Sequence, residues 1–148
     1  ARYKYADWLY LGARVQDVTT TYLGWDTGHN ELILPSGALG FALPFEIDPL
    51  DADITVAADV VIWGEDRAEA DQFHFGRFSG DAHLGLEYVV MKTVALRAGM
   101  DREHFTAGAG VNIGPVTADY AFQQHSGLGE SHRVSIGYYW SGNPIFGD

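Results

Sequence analysis

Apolar and polar residues alternate with a period of two from one end of this sequence to the other, and few folds accept that pattern over so many segments. In residues 8–18, Leu9, Leu11, Ala13 and Val15 share one face, while Trp8, Tyr10, Gly12, Arg14 and Gln16 share the other. Residues 52–63 set Ile54, Val56, Ala58, Val60 and Ile62 against Asp53, Thr55, Ala57 and Asp59. Residues 132–140 set Val134, Ile136, Tyr138 and Trp140 against Arg133, Ser135 and Gly137. The same rhythm runs through 37–45, 83–91, 93–99, 105–113 and 116–123, and residues 73–79 extend the fourth segment. Successive side chains of a strand point to opposite faces, so each segment reads as a strand with one apolar side. The only helix-like stretch is the short, charged run 65–72. The expectation is an all-β chain, an antiparallel up-and-down meander of about eight strands in one domain over residues 1–148.

The connections sort by length. Those at 46–51, 91–92 and 114–115 are short, and those at 19–36 and 64–81 are long. The connections at 100–104 and 124–131 are of middle length. Every second connection is short, so the short ones share one edge of the meander. A soluble sandwich has no reason to sort its loops this way, whereas outer-membrane barrels pair short periplasmic turns with longer outer loops. Both chain ends are expected at the short-turn edge.

Alternation alone does not say which face is inside. A lipocalin-like soluble barrel turns its apolar face in, and a membrane barrel turns it out. Three features favour outward. The polar face mixes glycines (Gly12, Gly40, Gly85, Gly99, Gly108, Gly110, Gly137) with charges, unlike a soluble surface. Those charges have both signs, Arg14, Arg97 and Arg133 against Asp53, Asp59, Glu87 and Asp119, and so can pair across a lumen. Aromatic residues Phe45, Tyr88, Phe105, Phe122, Tyr138 and Trp140 stand near strand ends on the apolar face, where an interfacial girdle belongs. Lys4 and Lys92 are the only lysines, again unlike a soluble surface. The expected lipid-facing set is Leu9, Leu11, Val56, Val60, Leu84, Leu86, Val134 and Ile136. The expected lumen set is Asp59, Glu87, Arg97, Asp119 and Arg133.

A formal net charge of -11 argues against a nucleic-acid partner and against electrostatic docking on an anionic leaflet. With no cysteine there is no disulfide, thiolate or Cys-ligated zinc. No apolar run is long enough for a transmembrane helix. No signal peptide opens the sequence, which fits a removed leader or a segment of a longer protein.

The order of several motifs resembles the PorV/PorQ family. They are the run from Leu11 to Tyr22, Trp25-Asp26-Thr27-Gly28, Glu31 and Pro35. They continue with His83-Leu84-Gly85-Leu86-Glu87-Tyr88, Ala95-Leu96-Arg97-Ala98-Gly99 and Thr106-Ala107-Gly108-Ala109-Gly110, then Asp119-Tyr120-Ala121-Phe122 and Gly129 to Ile136. This resembles the C-terminal half of that family, itself similar to FadL-type barrels. The resemblance implies a transmembrane β-barrel of the bacterial outer membrane, with about fourteen strands in full. It implies a non-enzymatic role, either passage of hydrophobic or small solutes or a carrier role for secreted proteins, with membrane lipid and lipopolysaccharide as partners. Residues 141–148 depart from the aromatic terminus many such barrels carry. The strands then either close as a small barrel or pair at their edges with other strands. The second case opens a structural reading, a tube or filament built of copies or partners. A soluble lipocalin-like ligand-binding barrel is the third reading.

Catalytic patterns are weak. His125-Ser126 and Ser131-His132 sit in or beside a polar loop, and no G-x-S-x-G elbow occurs. His29, His74, His83 and His104 fall on different connections with no H-x-x-x-H pair, so no metal site is read. Gly108-Ala109-Gly110 lies mid-strand with no helix to follow, so it is no phosphate loop. The acidic run 65–71 reads first as a solvated loop, and second as a cation bridge to lipopolysaccharide. No cofactor is expected. The lumen charges read first as ion pairs filling a narrow barrel, and second as a selectivity path.

Overall fold

A computed structural model describes residues 1–19, 21–24, 30–65, 71–125 and 129–140. The described residues form strands and turns, with one short 3-10 turn at Asp48–Leu50. The strands are β1 (Arg2–Ala6), β2 (Leu9–Gln16), β3 (Thr21–Gly24), β4 (Asn30–Ile33), β5 (Ser36–Ile47) and β6 (Ala52–Trp63). They continue with β7 (Phe73–Phe75), β8 (Phe78–Val90), β9 (Val94–Asp101), β10 (His104–Ile113), β11 (Val116–His125) and β12 (Gly129–Tyr138). Ten of them make one sheet in the order β1-β2-β5-β6-β8-β9-β10-β11-β12, with β7 paired to β8. Strands β3 and β4 form a separate hairpin within the long connection after β2.

The chain is therefore an all-β, antiparallel, up-and-down meander. Among the described residues, β1 and β12 stand at the two ends of the pairing order, and the sheet is not closed into a barrel. Two strands join the sheet beyond the expected eight. Residues 73–79 do not simply extend the fourth strand as expected: Phe78 and Ser79 do, but Phe73–Phe75 is a separate strand, β7, that turns at Gly76 (φ 61°) and pairs antiparallel with the start of β8. β1 precedes the first expected strand and pairs with β2, Arg2 opposite Gly12 and Lys4 opposite Tyr10. This corrects the expected position of the chain's start. Ala1 lies part-way along β2, its carbonyl accepting from the Ala13 amide at 2.9 Å, and not at the short-turn edge. The helix-like run 65–72 and the acidic run 65–71 lie largely outside the described residues, as do His29, Ser126 and residues 141–148.

By internal packing the chain divides into two units, Ala1–Phe41 with Ala58–Ala82, and Ala42–Ala57 with His83–Asp148. In the first unit a polar knot ties the start of β8 to Glu65, Asp71 and Gln72. The Ser79 hydroxyl donates to the Glu65 carbonyl at 2.8 Å and also bonds the Asp71 carboxylate. The Gln72 amide donates to Asp81 at 2.9 Å, and the Gln72 side chain accepts from the Ala82 amide at 2.8 Å. Ser79, Asp71 and Asp81 are all buried, as buried polar groups with partners can be.

In the second unit, β8 to β12 form a continuous antiparallel ladder. Three backbone bonds tie its short-turn edge together: Met91 to Asp51 at 2.7 Å, Asn112 to Thr93 at 2.8 Å and Tyr139 to Pro115 at 2.8 Å, each amide donating to the carbonyl. The turn between β8 and β9 places Met91 and Lys92 at φ 51° and 50°, and Gly114 turns β10 into β11 at φ 59°. Two consecutive positive φ values suit the twist of a tight hairpin. The register that follows sets Glu87 opposite Arg97, Arg97 opposite Gly108, Gly108 opposite Ala121 and Ala121 opposite Arg133.

Candidate functional site

The register of β8–β12 divides the second unit's side chains into two faces. One carries Leu84, Leu86, Val94, Leu96, Phe105, Ile113, Val116, Tyr120, Val134, Ile136 and Tyr138, all exposed. Val134 is 72% exposed and Ile136 78%. The opposite face carries Ala95, Asn112 and Thr117, which are buried, Ala95 completely and Thr117 to within 3%. The open side of the sheet is thus apolar, while the opposite side is polar, charged or small at most positions, buries Val89 beside Ala95, and leaves Arg133 and Ser135 exposed at its β12 end. Along β10 the apolar positions run from Phe105 to Ile113, about 27 Å at ~3.4 Å per residue. A strand tilted by about 40° would carry them over ~21 Å of the ~25 Å band that barrels present to lipid. Aromatic rings mark the ends: Tyr138 and Trp140 meet edge to face at 4.8 Å, and Phe122 and His132 lie 5.5 Å apart.

On the enclosed face the charged residues meet. The Arg97 guanidinium donates from Nε to Glu87 Oε2 at 2.6 Å and from Nη1 to Asp119 Oδ1 at 2.8 Å. Each of the three side chains keeps about a third of its surface open. Glu87 is the direct cross-strand neighbour of Arg97, whereas Asp119 stands two strands away. Glycine makes that longer reach possible. A Cβ on Gly110 would lie 2.5 Å from Asp119 Oδ1 and 3.2 Å from Arg97 Nη1. The same device recurs in the first unit, where a Cβ on Gly40 would lie 2.7 Å from the Cβ of Asp59.

A hollow of about 550 Å³ adjoins the cluster, and Arg97, Glu87, Asp119, Arg133, Gln123 and Ser131 contribute its polar lining. Gly85, Gly99 and Gly108 also line it; a Cβ on Gly85 would meet nothing within 4 Å, whereas one on Gly99 would lie 2.7 Å from the Leu84 carbonyl oxygen. Glu87, Arg97 and Asp119 form one ion-pair cluster, and Arg133 lies on the same hollow with no acidic partner among the described residues. Asp59 belongs to the other unit. Of the expected lipid-facing set, Leu11, Val56, Leu84, Leu86, Val134 and Ile136 are exposed, and Leu9 and Val60 are half-buried.

A second polar group emerges that sequence reading treated as scattered. His83 Nε2 lies 3.2 Å from Asp101 Oδ1, and Gln123 donates to Asp101 Oδ2 at 2.7 Å. His104 sits opposite Asp101, and its ring is 6.0 Å from that of His125. Only the strand register brings residues so far apart in sequence into one row. Among the described residues, no three histidine or acidic side chains converge as metal ligands would. No helix among them is long and apolar enough to cross a membrane, which says nothing of crossing by strands. No family model, curated protein or solved structure matches this chain.

Proposed function

We propose that this chain forms wall strands of a bacterial outer-membrane β-barrel, with a non-enzymatic, PorV/PorQ-like role in transport or secretion. The observation that carries the reading is the inverted sheet: Leu84 and Leu96, on interior strands, stand open while Ala95 and Thr117 are covered. Soluble monomers rarely expose a contiguous apolar face of this extent, and in lipid it needs no further cover. The sorted connections and the PorV/PorQ motifs support the same reading. Membrane lipid and lipopolysaccharide are then the surroundings of the apolar face.

The polar face becomes lumen. Arg97 holds Glu87 and Asp119 against the wall, with about a third of each side chain still open to the lumen. The hollow beside them leaves room for a small solute, while the paired charges set the field it meets. Solute flux through vesicles holding the protein separates a pore from a carrier.

Insertion is the direct test. Leu86→Arg or Val56→Arg puts a charge on the apolar face and should weaken insertion by about 2–4 kcal/mol near the midplane. Arg97→Ala should leave insertion largely intact. Folding into vesicles, read as protease protection, distinguishes the two classes. Equal behaviour of both, or a chain monomeric and soluble without detergent, contradicts the membrane reading.

A further inference from the structure

The first unit holds a groove of about 370 Å³ where its long connections meet the strands. Val15, Ile62 and Phe78 line it from the end of β2, the end of β6 and the start of β8, and all three are exposed. Leu34 and Pro35 line it from the residues just before β5. Val15 and Ile62 fall on the apolar faces of their strands, so the groove opens on the apolar side of the sheet. Gly37 adds no side chain to it, and a Cβ there would have only the Arg14 carbonyl oxygen within 4 Å, at 3.8 Å. One cation joins this apolar lining. Arg77, exposed in the two-residue turn between β7 and β8, has its guanidinium 5.2 Å from the centre of the Phe78 ring. It has no carboxylate partner among the described residues.

Resting on the reading of the apolar side as lipid-facing, we propose that this groove seats an acyl chain of a bilayer lipid whose phosphate pairs with Arg77. The apolar walls answer the chain, since burying methylene groups there removes them from water. The guanidinium answers the phosphate, because its planar fork donates two parallel hydrogen bonds to phosphate oxygens. The Phe78 ring supports the guanidinium by a cation–π contact, which holds the cation beside the groove. The position fits as well, because strand ends lie at the level of lipid headgroups and arginine there reaches the interface. A net charge of -11 gives the chain no general attraction for anionic lipid, so a preference for one reports a local cation.

The test uses the whole chain in neutral detergent micelles, with retained lipid counted by native mass spectrometry. The probes are phosphatidylglycerol, diacylglycerol with the same chains, and inorganic phosphate. Phosphatidylglycerol should be retained about fivefold over diacylglycerol. Arg77→Gln should remove that preference, whereas Arg133→Gln, at an arginine that does not line the groove, should leave it intact. Gly37→Leu should lower retention of both lipids by filling the groove. Inorganic phosphate should not displace phosphatidylglycerol at equal concentration. Equal retention of the two lipids, a preference that survives Arg77→Gln, or displacement by inorganic phosphate overturns the assignment. The readout needs no insertion into vesicles, so a chain that inserts normally but shows no preference loses only this inference.

Discussion

Arg97 can serve two carboxylates because Gly110 leaves the space between them empty. A methyl group there meets the Asp119 oxygen at 2.5 Å, far inside van der Waals contact. Gly110→Ala should therefore displace Asp119 from Arg97 and cost up to about 1 kcal/mol, the range of a part-exposed ion pair. Gly85 is the control, because nothing lies within 4 Å of a Cβ built on it. Gly85→Ala should leave stability nearly unchanged, and urea titration of both variants in micelles makes the comparison. Alternation was enough to place Glu87, Arg97 and Asp119 on one face. It was not enough to say which acid meets which base, since a two-residue slip keeps every side chain on its face and changes all its partners. The row of His83, Asp101, His104 and His125 was hidden for the same reason.

At the scale of elements, register is set by the turns. Lys92 occupies a left-handed conformation at φ 50°, which costs an L residue about 1–2 kcal/mol and glycine almost nothing. Lys92→Gly should then raise stability by about 1 kcal/mol. Gly114→Val, at φ 59°, should lower it by a similar ~1–2 kcal/mol. Equilibrium unfolding of the two variants gives opposite signs if the hairpins are as described. Strand β6 coincides with the segment read from alternation, because Ala52–Trp63 is long and strictly periodic. β1, β3, β4 and β7 are short, at five, four, four and three residues, and too few alternations mark them. β3 and β4 also lie within a stretch that its polar and glycine residues mark as loop.

For the whole molecule, the meander and its inverted faces were legible because a period of two repeats in every long strand. The open edges were not, since pairing beyond β12 depends on what lies beside it and not on its own pattern. The central claim is that the apolar face meets lipid and the polar face meets water. It is tested most directly along β11, in a chain whose lack of cysteine permits single-site spin labels without background. Labels at residues 118 to 123 in vesicles would be compared for access to oxygen, which concentrates in lipid, and to a water-soluble nickel chelate. The account predicts oxygen access dominating at Ala118, Tyr120 and Phe122, and chelate access dominating at Asp119, Ala121 and Gln123. A reversed alternation, or chelate access at all six positions, would contradict it.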